Sequence, residues 1–386
     1  MQIKLRWTFP VALIICHLSG NLGGNAHAQN IIKIGHVAAT SGAIAHLGKD
    51  NENGARMAVD ELNAKGVIIG GKNYRVELLA EDDGGDPKQG ATVAQKLVDA
   101  RINGIIGHET SGTTIPASRI YFNAGIPQIS PSATNPTYTR QGFKTAFRNV
   151  ANDEQLGAAL ARYALTIGKA KQIAVIDDST AYGKGLSNEF IKNIKATGPS
   201  ARVVSRHYTN DKASDFGAIL TDIKGKKPDL IFFGGMDAIA GPMLRQMQQL
   251  AIKVNFMGGD GLCSNAMAAL AGDSMADDQV ICAEAGGVEP QQQKALDDFQ
   301  IAYRRKFGID VLTYAPYTYD AVKTMVDAMQ QAGSPEPSAY LPALAKIRHQ
   351  GITGLIAFDK QGDVKNGVLT IYTFRGGKRV RLTVMK

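Results

Sequence analysis

Apolar residues recur along this chain in two alternating patterns. Short apolar runs, such as 31–37, 104–107 and 230–233, alternate with longer segments in which apolar residues are spaced three and four apart. The short runs are typical of β-strands buried in a sheet, and the spaced pattern is typical of amphipathic helices. The alternation predicts an α/β fold of parallel sheets with helices on both faces.

The elements can be placed from this pattern and from the turn residues beside it. A helix is predicted over 51–65, with Gly66 as its C-terminal stop. A further helix carries Ala91, Ala94, Leu97 and Val98. The other helices are predicted at 114–122, 154–167, 185–196 and 216–224. The other strands are predicted at 74–80, 126–129, 172–177 and 202–207.

The pattern restarts near residue 154, which predicts two doubly wound lobes rather than one. No Pro- or Gly-rich linker separates the two series, so we expect several chain crossings between the lobes. Ligands of such lobes bind at the carboxyl ends of the strands, where loops and helix N-termini meet.

The N-terminus has the organisation of a secretory signal peptide. Lys4 and Arg6 precede an apolar run at 9–16, and a small-residue cleavage pattern ends at Ala28. The run is too short to span a bilayer, and bulky Ile15 disfavours lipidation at Cys16. We therefore expect cleavage of residues 1–28 and a periplasmic mature protein. About 358 residues would remain, which is enough for two domains.

The net charge is +8, and removal of Lys4 and Arg6 lowers it to +6. The basic residues are scattered, apart from Lys378, Arg379 and Arg381, which the alternation predicts to lie on the solvent face of a strand. Aromatic residues are few and are not interleaved with the basic ones. Nucleic acid is therefore not an expected partner.

Two cysteines, Cys263 and Cys282, belong to the predicted mature chain. In an oxidising compartment an even pair favours a disulfide, and two buried free thiols are the alternative. No CxxC motif or histidine cluster accompanies them, so a metal site is not expected.

Motifs of catalysis and of cofactor binding are missing from the sequence. There is no Gly-x-Ser-x-Gly elbow, and the stretch from Gly42 to Lys49 departs from a P-loop in spacing and in its last residue. His108 and Glu109 are adjacent, which suits no zinc pair, so we expect a structural role for His108. We expect no enzyme activity and no cofactor.

Short motifs across nearly the whole mature chain resemble the type I periplasmic binding proteins for branched-chain amino acids. The motifs are Ser41-Gly42, Asp82-Asp83, Ile106-Gly107-His108, Pro131-Ser132-Ala133-Thr134, Tyr182-Gly183, Met257-Gly258-Gly259-Asp260-Gly261 and Thr318-Tyr319-Asp320. The resemblance implies two Rossmann-like lobes joined by three crossovers, with the ligand in the cleft between them. The lobes would comprise 29–149 plus 284–358, and 150–283 plus 359–386.

The resemblance also assigns the residues that bind an α-carboxylate. In this family hydroxyls and backbone N–H groups of one lobe hold that group, which implies Ser111, Ser132, Ala133 and Thr134 here. Ser111 lies between a predicted strand and a helix N-terminus, a position that favours an anion. Helix capping is the alternative role of Ser111 and Thr134.

The same resemblance assigns the residues that contact the ammonium and the side chain of the ligand. Asp260 matches an acid that meets the ligand ammonium, although many relatives have the longer Glu at that position. A turn residue is its alternative role. Tyr182 matches an aromatic residue that covers the ligand, and Tyr314 falls near another. Leu47 and Met236 stand where relatives often have tyrosines, which indicates an altered side-chain pocket.

The resemblance therefore implies a monomeric solute-binding protein that delivers an amino acid to an inner-membrane ABC permease. Leucine, isoleucine and valine are the default ligands. The alternative is a sensor or regulator of the same fold for amides or aromatic acids.

Overall fold

The structure, a computed structural model, describes residues 1–5, 7–8, 30–197, 201–365 and 367–385. The apolar run and the cleavage site of the predicted signal peptide lie outside the described residues. The fold prediction is confirmed: two largely parallel sheets, each flanked by helices, form two lobes.

The chain first builds the sheet of the first lobe. In chain order the elements are β1 (Asn30–Ala38), α1 (Ala45–Lys65), β2 (Val67–Ile69), β3 (Lys72–Asp82), α2 (Pro87–Asp99), β4 (Gly104–Gly107), α3 (Ser111–Asn123), β5 (Gln128–Ser130), α4 (Thr137–Arg140) and β6 (Ala146–Arg148). The strands lie in the order β2-β3-β1-β4-β5-β6. β2 pairs antiparallel with β3, and the remaining neighbours pair in parallel.

The chain then crosses to the second lobe. The elements there are α5 (Asp153–Thr166), β7 (Gln172–Asp177), α6 (Ala181–Thr197), β8 (Arg202–Tyr208), α7 (Gly217–Lys226), β9 (Leu230–Gly234), α8 (Asp237–Gln249), β10 (Asn255–Gly258), α9 (Met267–Ala271) and β11 (Val280–Glu284).

Two more crossings complete the fold. The chain returns to the first lobe with α10 (Gln293–Phe307), α11 (Ala315–Ala332), α12 (Pro337–Leu344), β12 (His349–Gly351) and β13 (Gly354–Ile356). It ends in the second lobe with β14 (Leu369–Arg375) and β15 (Lys378–Met385). The second sheet has the order β15-β14-β11-β10-β9-β7-β8, in which β14 and β15 pair antiparallel. The predicted lobe boundary at 283/284 falls at the last residue of β11, and the boundaries stay a prediction.

Alternate residues of each central strand enter different hydrophobic cores, because successive side chains of a strand point to opposite faces. In β9, Phe232 packs with α5 and α6, whereas Ile231 and Phe233 pack with α7 and α8. In the first lobe, Ile106 packs with α1 and α11, whereas Ile105 packs with α2 and α3. Both sheets are therefore covered on both faces, as the apolar strand sequences predict.

Helix α1 is longer than the sequence pattern predicts. It begins at Ala45 rather than at residue 51. Its first turn carries His46, whose side chain contacts Asp237 of the second lobe, and Leu47, which is buried. The regular spacing of apolar residues, from which the helix was predicted, therefore begins several residues after the helix does.

The prediction that Arg379 lies on the solvent face of a strand is wrong. Its side chain is only 12% exposed, forms an ion pair of 2.9 Å with Glu284, and donates to the carbonyl of Cys263. Lys378 and Arg379 are consecutive residues of β15, so their side chains leave opposite faces of the sheet, and the Arg379 guanidinium lies 4.4 Å from the centre of the Tyr372 ring. Lys378 and Arg381 are exposed as predicted.

Cys263 and Cys282 form a disulfide, with Cα atoms 5.3 Å apart and a sequence separation of 19. The bond joins the segment after β10 to β11, and both cysteines are fully buried. The sequence left open a disulfide or two buried free thiols, and the structure has the disulfide.

Replacing both cysteines with alanine is expected to lower the free energy of unfolding by about 3 kcal/mol, because the unfolded chain loses a loop constraint of this length. Urea unfolding with and without reductant measures the effect. Reductant should shift the midpoint of the wild type and leave the double variant unchanged. An identical midpoint for both proteins without reductant would contradict a stabilising bond.

Candidate ligand-binding cleft

The carboxyl ends of the two sheets face each other, and side chains join the lobes there. His46 Nε2 of the first lobe lies 2.9 Å from a carboxylate oxygen of Asp237 in the second. Asn135 Nδ2 donates to the carbonyl of Ala181 over 2.6 Å. These contacts connect segments far apart in sequence, and the lobes are closed on each other. We call the region between them the cleft.

Two hydroxyls of the first lobe remain available to an anion in the cleft. Ser111 opens the 13-residue helix α3, and its Oγ accepts from the backbone N–H of Asn135 at 3.2 Å, so its own O–H is free to donate. Thr134 is fully buried, and its Oγ1 makes no hydrogen bond of ordinary geometry. The N-terminus of α3 adds a favourable potential for negative charge.

The other two residues of the predicted carboxylate site are already engaged within the first lobe. Ser132 Oγ donates to the carbonyl of Glu109 over 2.9 Å. The backbone N–H of Ala133 donates to Ser130 Oγ over 3.0 Å. The hydroxyl proton of Ser132 and the N–H of Ala133 therefore shape the loop, and the donors left to a ligand are those of Ser111 and Thr134.

Asp260 lies in a short 3-10 turn, Asp260–Leu262, directly after β10. Its two carboxylate oxygens accept hydrogen bonds of 2.9 Å from the hydroxyls of Tyr182 and Tyr314. Tyr182 belongs to the second lobe and Tyr314 to the first, so the acid is held from both sides. Burial raises the pKa of Asp260 to about 6, although the two hydroxyls oppose the rise.

The hydroxyl of Tyr182 also accepts the backbone N–H of Gly261 over 2.9 Å. A Cβ at Gly261 would lie 2.8 Å from Met236 Sδ and 2.9 Å from Tyr182 Cε1, so only glycine fits there. Met236, the residue before α8, therefore packs beside the Asp260 turn. The structure brings Tyr182, Met236, Asp260 and Tyr314 together, as the resemblance implies.

Leu47 is 1% exposed but belongs to none of the hydrophobic clusters of the described residues. It follows His46, which reaches across the cleft to Asp237. Burial opposes protonation of His46, but the hydrogen bond and the charge of Asp237 outweigh it and raise the pKa above its usual value. Leu47 thus lies in the first turn of α1, next to the residue that joins the lobes, and its part in a ligand pocket stays a prediction.

Asp153 is a cleft residue that the sequence analysis missed. It is the first residue of α5 and fully buried, and neither carboxylate oxygen accepts a hydrogen bond of ordinary geometry. Burial and the charge of Asp260 raise its pKa well above the usual range, and the nearby Thr134 hydroxyl opposes the rise. The adjacent capping box, Asn152 with Gln155, concealed this role, because acids are common in the first turn of any helix.

Glu109 is the second residue that the sequence analysis missed, because it was considered only as half of a zinc pair. It precedes α3 and is 4% exposed. Its neighbour His108 has the structural role that was predicted: Nδ1 lies 2.8 Å from Asp83 and Nε2 lies 3.0 Å from the Tyr121 hydroxyl.

Within the described part of the chain, no group of three or more His, Cys, Asp or Glu side chains is placed to hold a metal ion. No helix in the same part is both long enough and apolar enough to cross a membrane.

The whole chain is similar to proteins that bind solutes. Its sequence matches the family described as "Periplasmic binding protein" over residues 31–378. The Leu/Ile/Val-binding protein homolog 1 of Brucella abortus (strain 2308) is 35% identical over 356 residues, which cover 92% of this chain and 93% of the relative.

Two crystal structures share the fold. The leucine-binding protein LivK of Thermotoga maritima MSB8 has a TM-score of 0.82 at 25% identity, covering 92% of this chain and 98% of that protein. LivJ of Streptococcus pneumoniae str. Canada MDR_19A, in complex with isoleucine, has a TM-score of 0.80 at 26% identity, covering 92% of this chain and 100% of that protein. The sequence match, the relative and the shared fold agree, and this chain belongs to the family of periplasmic binding proteins.

Proposed function

We propose that this protein is the solute-binding component of an ABC importer and that it captures an amino acid in the cleft. The observation that carries the proposal is the distribution of polar groups. The hydroxyls of Ser111 and Thr134 and the N-terminus of α3 lie near two buried acids: the N–H of Asp153 donates to the Thr134 carbonyl over 2.9 Å, and Asp260 is held by tyrosines of both lobes. A zwitterion with adjacent carboxylate and ammonium groups matches this arrangement.

The carboxylate of the ligand would accept from Ser111 and Thr134. Thr134 Oγ1 is buried without a hydrogen bond of ordinary geometry, and such a group costs free energy unless a partner is bound. A carboxylate oxygen supplies that partner. The N-terminal N–H groups of α3 would stabilise the same charge.

The ammonium of the ligand would lie against Asp260 and Asp153. Two tyrosine hydroxyls fix the Asp260 carboxylate, and each of its oxygens keeps a second lone pair for an N–H donor. Neither of these two acids forms an ion pair among the described residues, and an uncompensated buried charge is costly. The proposed ligand therefore supplies the missing cation.

Capture would work by population shift. Contacts made by both lobes favour the closed arrangement over an open one, and the ligand adds differential affinity for the closed state. The closed surface would then dock on an inner-membrane permease. We propose an exported, monomeric binding protein, cleaved after Ala28, with no catalytic role and no cofactor.

Relatives suggest the first ligands to test. The Brucella relative is named for leucine, isoleucine and valine, and the Streptococcus structure holds isoleucine. The rival function, a sensor for aromatic acids or amides, provides no cation for Asp153 and Asp260. We therefore place amino acids first.

A thermal-shift screen of the refolded mature chain, residues 29–386, tests the function. The panel holds the twenty amino acids, short amides and aromatic acids, each in large excess. A tight ligand raises the melting temperature through mass action. We expect a shift with at least one amino acid that is absent in Ser111→Ala. A shift with aromatic acids or amides alone would support the rival function, and no shift with any compound would contradict the proposal.

Affinity for the amino acid is expected to fall below pH 6. Asp260 must lose its proton to meet an ammonium, and its pKa in the closed cleft is about 6, so binding is full above that pH. Below it, affinity should drop about tenfold for each pH unit. His46 does not alter this slope, because its raised pKa keeps it protonated throughout. Protonation of Asp153, whose pKa is also raised, would lower the affinity in the same direction.

Isothermal titration between pH 4.5 and 6 measures the slope. Affinity that stays constant or rises as the pH is lowered would contradict an ionised Asp260 in the complex.

A further inference from the structure

Glu109 is a buried acid whose backbone adjoins the proposed carboxylate site and whose side chain points away from it. It lies between β4 and α3, two residues before Ser111, and its side chain turns back toward the end of β1. There Oε2 accepts the backbone N–H of Ala39 over 2.9 Å. The residue is 4% exposed, so the carboxylate has little contact with water.

The other carboxylate oxygen of Glu109 has no partner. Oε1 is buried and forms no hydrogen bond. No lysine, arginine or histidine among the described residues forms an ion pair with this acid, and the largest charges acting on it are those of three other acids. A native protein rarely leaves a buried carboxylate oxygen without a donor, unless a ligand provides one.

The surroundings of Glu109 are strongly negative. Burial raises its pKa well above the usual range, and the charges of Asp83, Asp50 and Asp237 raise it further. These acids belong to the end of β3, to α1 and to α8, so negative charge faces Glu109 from both lobes. The histidines that pair with these acids are His108, with Asp83, and His46, with Asp237.

The position of Glu109 relative to the proposed ligand follows from its neighbours. It is close enough to Tyr314 to raise the pKa of that hydroxyl, which itself donates to Asp260. Its electrostatic partner Asp237 begins α8, directly after Met236. Glu109 therefore lies near Tyr314 and Asp237, and the side chain of a bound amino acid is taken to extend toward it.

We propose that Glu109 determines specificity by accepting a hydrogen bond from a donor on the ligand side chain, so that the protein selects amino acids with polar, donor-bearing side chains over purely aliphatic ones. This inference rests on the proposed function and adds the class of cargo. Among donors a cationic group is favoured, because its charge stabilises the ionised form of Glu109, whose carboxylate has no ion-pair partner among the described residues.

An aliphatic side chain would leave Oε1 buried against methyl groups. A site built around a buried polar group rejects an analogue that lacks the partner far more strongly than an apolar pocket rejects an added polar group. Branched-chain amino acids, the default ligands from the resemblance, are for this reason expected to bind less well than polar amino acids of the same shape.

Isothermal titration with pairs of matched shape tests the inference on the refolded mature chain. The pairs are valine with threonine, leucine with asparagine, and norleucine with lysine. We expect the polar member of at least one pair to bind at least about tenfold more tightly than its aliphatic partner. Glu109→Leu should abolish or invert that difference and should bind the aliphatic member more tightly than the wild type does.

Two further variants keep the test decisive. Glu109→Gln preserves the size of the side chain but replaces an anion with a neutral amide, so lysine should lose affinity even if Glu109→Leu fails to fold. Glu77→Gln, at an exposed position of β3, serves as the matched control and should leave every affinity unchanged.

The outcomes separate the two proposals. Aliphatic members that bind the wild type as tightly as or more tightly than their polar partners in every pair would overturn the role of Glu109 and leave amino acid capture intact. A folded wild-type protein that binds no amino acid of the full set of twenty would overturn the proposed function, and the role of Glu109 with it.

Discussion

Replacing Asp260 with asparagine is expected to weaken amino acid binding by about 100-fold or more, the usual cost of removing one partner from a buried charge pair. The substitution keeps the shape of the side chain and one acceptor for the tyrosine hydroxyls, so the cleft should still close. It removes the negative charge that the ligand ammonium needs. Titration of the best ligand from the screen measures the loss.

Controls separate this effect from a general loss of folding. Asp273→Asn changes an exposed acid of the same lobe and should leave the affinity unchanged. The melting temperature of Asp260→Asn without ligand should equal or exceed that of the wild type, because a buried acid with a raised pKa has been neutralised. Affinity within about threefold of the wild type would contradict the role of Asp260.

Replacing Asp50 with alanine is expected to lower the free energy of unfolding by about 4 kcal/mol, which is among the larger effects of single substitutions. Asp50 of α1 is 1% exposed and accepts the backbone N–H groups of Leu312, Thr313, Tyr314 and Ala315. It also accepts the hydroxyl of Tyr303 over 3.0 Å. Alanine would leave these donors buried without an acceptor.

The same substitution should weaken ligand binding, because Asp50 holds the loop that positions Tyr314. Urea unfolding measures the stability, and titration at a temperature where the variant is folded measures the affinity. Asp60→Ala, an exposed acid of the same helix, is the control and should change stability by less than about 0.5 kcal/mol. A similar small change in Asp50→Ala would show that this network does not stabilise the fold.

The hydrophobic pattern was sufficient to predict the fold because it reports local structure. Strand and helix periods depend on residues a few positions apart, and the two runs of alternating elements correspond to the two sheets. The pattern missed the start of α1, because His46 in its first turn contacts Asp237 of the other lobe rather than an apolar core. It also failed at Arg379, because consecutive strand residues point to opposite faces and Arg379 pairs with Glu284.

Only short motifs that occur in a fixed order along the sequence indicated which residues form the site. The structure brings Ser111, Thr134, Tyr182, Asp260 and Tyr314 to one cleft, and their roles in binding stay proposals. Ser132 was given a hydroxyl role from the same motif, yet its proton is donated to Glu109 within the loop. A motif indicates which residues lie near one another. The group to which each hydroxyl donates depends on the packing of the folded chain.

By itself, the sequence determined the class of fold, the sequential order of its elements, and the pair of cysteines that could bond. Only the tertiary structure decided which acids are buried and what they contact. Asp153, Glu109 and Asp50 look like ordinary turn or helix acids in the sequence, because acids are common at such positions. Their burial arises from contacts between segments far apart in sequence: Asp50 meets residues 312–315, and Glu109 meets the end of β1, because the fold brings these segments together.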